Sequence, residues 1–179
     1  MKKIDGKIVA LSGVSSALSI IFTLCAIYIP YVTIACYVIA ALCIALPFIK
    51  RSVIGGIFAY ISSSLISFFV ANINVLPFIL FFGIYSIVEY LLDFRLFEIE
   101  KISKSIKYTI NIAVKIVFYF AAFFAMFYLM KISLSDFVLF GIEWTLPLLL
   151  IAGFLFFVVY DFLYKKAYIL MERTIIKRI

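Results

Sequence analysis

The residues with the strongest claim on chemistry are Glu89, Lys115 and Asp161, because each carries an ionisable group inside or beside a long apolar block. A charge in hydrocarbon demands a counter-charge, water or a function. With successive spans running in opposite directions, all three fall toward the same side of the membrane, so Lys115 is expected either to pair with Glu89 or Asp161 or to snorkel to the interface. Holding a helix bundle together is the favoured role, with transport or coupling as the alternative.

A second set gathers at short polar interruptions: Tyr31, Thr33, Tyr37, Asn72, Asn74, Asp136, Glu143 and Trp144. Aromatic walls with a few fixed hydrogen-bonding groups suit a small planar ligand. The same residue types terminate helices and anchor at membrane interfaces, and that plainer reading is favoured for any one of them. A third set is made of small side chains, Ser12, Gly13, Ser16 and Ala17, in two interleaved small-xxx-small pairs. Small residues let helix backbones approach closely in lipid, so this stretch is expected to pack within the bundle or against a partner.

Other chemistry lacks its parts. The chain has no histidine, and Cys25, Cys36 and Cys43 have no metal-ligand spacing. They read as packing residues, with a Cys25 to Cys36 disulfide as the less favoured alternative. Lys115 could in principle activate a serine, yet no nucleophile and base stand at a recognisable spacing. A phosphate-binding loop is missing as well, so ATP-driven work would need another subunit. We therefore expect no catalytic residue, no metal, no cofactor and no enzyme.

The elements that must position these residues are membrane spans. Hydrophobic residues make up 68% of the 179 and charged residues 14%, with a mean hydropathy of +1.27, far outside the range of soluble domains. The apolar residues fall in blocks near 9–29, 31–49, 52–71, 77–92, 108–130 and 144–164. Blocks of roughly 20 residues match the thickness of a bilayer. The expected fold is all-α: one polytopic membrane domain, a bundle of about six transmembrane helices in contact with the lipid bilayer. Pro30, Pro77, Asn72 and Asn74 mark breaks between blocks, and Pro147 sits in the first turn of the last. The first block follows a short basic segment with no small-residue cleavage site, so it reads as a retained helix.

Charge gives the orientation. Of the 16 basic residues, all but Lys115 and Lys131 flank the blocks on one side. By the positive-inside rule both termini and the loops at Lys50 and Lys104 are cytoplasmic, in a multi-pass protein of the cell membrane. Spread out in this way, the net charge of +7 does not form the continuous basic groove that nucleic acid needs. Two segments on the basic side, 94–107 and 165–179, alternate apolar and charged residues at helical spacing and are expected to lie along the interface.

The size, the spans, the cytoplasmic ends and the small-residue face beginning Ala10-Leu11-Ser12-Gly13-Val14-Ser15-Ser16-Ala17 resemble the substrate-binding S components of energy-coupling-factor transporters. The resemblance covers nearly the whole chain at the level of architecture. It implies a membrane subunit that captures a vitamin-like micronutrient from outside and works with separate ATPases and a transmembrane coupling subunit. In that family the first helix often bears an Ala-xxx-Ala contact with the coupling subunit, for which Gly13 and Ala17 are the nearest match here. The alternative is a structural or assembly protein of the bacterial membrane that transports nothing. A membrane enzyme acting on lipid is disfavoured, since no catalytic constellation is present.

Overall fold

The computed structural model describes residues 6–96, 103–130, 138–139, 142–143 and 146–176. With no water in hydrocarbon to satisfy backbone groups, apolar runs of this length must close their hydrogen bonds internally, and they do so as helices. The first three are α1 (Gly6–Tyr28), α2 (Thr33–Ile49) and α3 (Val53–Ala71). A 3-10 turn at Asn72–Val75 leads into a composite rod, in which α4 (Ile84–Glu89) is flanked by π-helical stretches at Phe78–Gly83 and Tyr90–Leu96. Then come α5 (Lys104–Leu129), a short antiparallel ladder of β1 (Val138–Leu139) with β2 (Ile142–Glu143), and α6 (Leu146–Ile176). The fold is all-α, with the ladder serving only as part of a turn.

Gly6–Tyr28, Val53–Val75, Lys104–Leu129 and Leu146–Ile175 are long and apolar enough to cross a bilayer, so the chain is a multi-pass membrane protein. The block expected at 31–49 becomes α2, whose 17 residues reach about 26 Å, at the short end of what a span needs. The block expected at 77–92 is not one regular helix but the composite rod just described. At the other extreme, α6 has 31 residues and extends about 46 Å, well beyond a hydrocarbon layer of about 30 Å. The tail from 165 onward, expected as a separate interfacial helix, is as far as Ile176 the last turns of α6. The other expected interfacial segment is divided: Lys104 and Lys107 belong to the first turn of α5, while 97–102 lie outside the described residues.

Helix breaks are made locally. Tyr31, Arg51 and Asn72 adopt positive φ values of 74°, 55° and 50°, conformations that cost a non-glycine residue free energy and that asparagine tolerates best. Ser52 then starts α3 by accepting a hydrogen bond at 3.1 Å from the Gly55 amide, which satisfies one of the orphan donors of the first turn.

The chain divides into two compact units, Met1–Ile112 and Ala113–Ile179. In the first, α1 packs against both α2 and α3, while α2 also packs against the composite rod. The second is an antiparallel hairpin made by the greater part of α5 with α6. Across the chain, Phe69, Val117, Leu155 and Leu170 are among many large apolar side chains left exposed. In water this would be untenable; in lipid it is the expected outer surface.

Candidate functional site

In the first unit α1 meets α3 at Ser12 and Gly55, and both helices bury small residues. Ser12, Ser15, Ser19, Thr23 and Ala26 are the buried positions of α1. On α3 a run of Gly55, Ala59, Ser63, Ser67 and Ala71 is buried at a strict spacing of four. Side chains of this size allow the two backbones to approach closely. A Cβ added at Gly55 would come within 2.8 Å of Ser12 Oγ and 3.0 Å of Ile8 Cγ2, so only glycine fits there.

The first unit uses only part of the expected packing face. Ser12 is in the contact, but Gly13 has nothing within 4 Å of a Cβ position, and Ala17 is exposed. Ser16 is half-buried and donates to the Gly13 carbonyl at 3.0 Å. The small residues that do pack lie on the adjacent face of α1. The signal that would have found them is the longer ladder on α3, five small residues at every fourth position.

Tyr37 joins the start of α2 to the turn after α3. Its hydroxyl donates to the Asn74 carbonyl at 3.1 Å, and its ring stacks on Phe82 at 5.2 Å. That single bond brings Thr33, Tyr37, Asn72 and Asn74 to one end of the unit. Tyr37 itself is buried at 4% exposure, so its ring is occupied by packing, whereas Asn72 and Asn74 are exposed and Thr33 is half-buried. Tyr31 in the neighbouring turn points fully outward. Glu143 is placed as backbone in β2, and Asp136 and Trp144 lie outside the described residues. Lys7, Lys50 and Arg51 occupy the opposite end of α1, α2 and α3.

The composite rod is bound to its neighbours through side chains that reach backbone carbonyls. Tyr60 donates to Ile79 at 2.9 Å and Ser86 to Ala41 at 2.9 Å. A π-helical turn is wider and its internal bonds are poorer than those of an α-turn, and the Tyr60 bond lands on a carbonyl within the first such stretch. Glu89, on this rod, is 2% exposed and accepts a hydrogen bond at 3.0 Å from Tyr85, one turn earlier. Asp93 follows one turn later and accepts a hydrogen bond from the side-chain amide of Asn111 on α5. Asn111 and Lys107 are themselves buried, at 6% and 5% exposure.

In the second unit Lys115 Nζ lies 2.5 Å from Asp161 Oδ1, so of the two partners weighed for the lysine the structure brings Asp161 to it. A turn further along α5, Tyr119 donates to the Leu150 carbonyl at 2.8 Å. The bond is reached only because residue 153 is glycine: a Cβ there would sit 2.6 Å from the Tyr119 hydroxyl. The Tyr119 ring also meets Phe154 at 5.6 Å and Phe157 at 5.5 Å. Unlike α1 and α3, these helices meet through long side chains, ionic and aromatic, which hold their axes apart.

No family model, curated protein or solved structure matches the chain. Function must therefore be argued from these residues alone. Among the described residues no three histidine, cysteine, aspartate or glutamate side chains converge as metal ligands would, and Cys25, Cys36 and Cys43 are free thiols. Sequence reasoning overlooked Lys107, Asn111 and Tyr119. With Lys115 they recur every fourth residue along α5, a polar stripe in an apolar helix that the spacing alone would have revealed.

Proposed function

We propose that this chain is the ligand-capturing subunit of an energy-coupling-factor-type importer in the cell membrane, with both termini cytoplasmic. It takes up a small, vitamin-like micronutrient and relies on separate ATPases and a transmembrane coupling subunit. The observation that carries this reading is the polarity of the first unit. One end carries Lys7, Lys50 and Arg51, and the other carries Tyr31, Thr33, Asn72 and Asn74 with no lysine, arginine, aspartate or glutamate among them. A neutral, aromatic and amide-bearing outer end suits an uncharged planar ligand. The basic end is the one the positive-inside rule assigns to the cytoplasm.

The outward-facing strip of Ala10, Gly13 and Ala17 near the basic end supports the same reading. These small residues are not used inside the first unit, and a helix of a coupling subunit can approach closely there. Purification in mild detergent, with identification of whatever proteins and small molecules come with the chain, tests the proposal. Recovery of an ATPase pair with a membrane coupling protein is expected. Gly13→Leu combined with Ala17→Leu should abolish that recovery while leaving the melting temperature unchanged. Absence of both partner and ligand would instead support a structural or assembly role.

A further inference from the structure

We propose that the α1–α3 seam is a hydrated site whose ligand is water, held by Ser15, Ser19 and Thr23 of α1 and Ser67 of α3. All of these residues are completely buried, and their hydroxyls find no hydrogen-bond partner among the described residues. Buried hydroxyls normally find one, since leaving them dry is costly. In membrane helices the usual refuge is the carbonyl one turn back.

That refuge is used elsewhere in this unit. Ser12 donates to Ile8 at 2.8 Å, Ser62 to Phe58 at 2.7 Å and Ser63 to Tyr60 at 3.0 Å. Ser15, Ser19, Thr23 and Ser67 do not take it. They also fall at matching depths along the two helices. From the contact of Ser12 with Gly55, Ser19 lies about 10 Å along α1 and Ser63 about 12 Å along α3. Thr23 and Ser67 follow at about 16 and 18 Å, so the members of each pair lie at similar depth. Hydroxyls at one level, each with a donor and two acceptor positions, supply the partners that a buried water requires.

Ser15 and Ser19 lie in the middle of α1, whereas Thr23 and Ser67 lie within about a turn and a half of the helix ends at Tyr28 and Ala71, so the hydroxyls run from mid-helix toward that end. This inference stands independently of the proposed import role. Reactivity of introduced thiols tests it, because methanethiosulfonates react with the thiolate, which forms only in water. In the full chain with Cys25, Cys36 and Cys43 replaced by alanine, Ser19→Cys, Thr23→Cys and Ser67→Cys would each be exposed to 2-aminoethyl methanethiosulfonate in membranes. Val14→Cys and Ile21→Cys, on the exposed flank of α1, serve as references.

Seam cysteines labelled at least ten times faster than the references support the proposal. Labelling no faster than the references overturns it. The melting temperature of Thr23→Val gives a second reading, decisive for any cysteine variant that fails to fold. Removing a hydrated hydroxyl lowers it, whereas an unchanged or raised value means that the hydroxyl was dry and overturns the proposal.

Discussion

Breaking the Lys115–Asp161 pair should harm the two partners unequally. The ions approach to 2.5 Å, a gross attraction of about 7 kcal/mol at an effective dielectric constant of 20. Removing each ion from water consumes most of that gain, so the net coupling is expected to be about 2 kcal/mol. The side chains are not equally buried: that of Lys115 is 8% exposed and that of Asp161 27%. Asp161→Asn strands the more buried charge and should cost about 3 to 4 kcal/mol. Lys115→Met strands the less buried of the two charges and should cost about 2 kcal/mol. The double variant should recover part of the loss, because neither ion is then left unpaired. Reversible unfolding of all four proteins in one nonionic detergent gives the complete cycle. A coupling below about 0.5 kcal/mol, together with a Lys115→Met protein as stable as the unmodified chain, would refute the pairing and leave a lysine that merely snorkels.

Gly153→Ala should displace the Tyr119 hydroxyl from the Leu150 carbonyl and destabilise the hairpin by about 1 to 2 kcal/mol, yet be nearly neutral in a Tyr119→Phe background; equal losses in both backgrounds would contradict the contact. Gly55→Leu should cost about 1 to 3 kcal/mol through overpacking against Ser12 and Ile8, whereas Gly13→Ala should stabilise by about 0.5 to 1 kcal/mol, as read from melting in detergent. Tyr37→Phe should cost about 1 kcal/mol and increase proteolysis at the turn after α3, where its bond to Asn74 is lost. In intact cells a maleimide that cannot cross the membrane should label Asn72→Cys but not Lys50→Cys; the reverse pattern would invert the proposed topology.

Much of the fold was legible because lipid is an unforgiving solvent. Long apolar runs have no alternative to closing their backbone bonds as helices, so α1, α3, α5 and α6 could be located from composition and length. Pro30, Asn72 and the pair Lys50 and Arg51 located the breaks, since proline resists continuing a helix and asparagine tolerates positive φ. The burial of Lys115 and its need for a carboxylate could also be read directly, as a matter of charge in hydrocarbon.

Other features depend on which face of a helix meets which neighbour, and apolar helices conceal that. In a soluble protein the polar face of a helix reveals its core face, but here lipid and interior are equally apolar and the hydrophobic pattern gives no direction. Gly13 and Ala17 therefore looked as suitable for packing as Ser12, Ser15 and Ser19, until α3 was seen to place Gly55 against Ser12. Helical lengths could not separate the last turns of α6 from a surface helix, because a continuous α-helix needs only an unbroken run of compatible residues. The sequence by itself determined an all-α, multi-pass chain and its local breaks, since those follow from each segment's own solvation. Only the tertiary structure decided that Asp161 meets Lys115, that Asn111 binds Asp93 and that Ser12 of α1 meets Gly55 of α3, because each depends on the rotation of one helix against another.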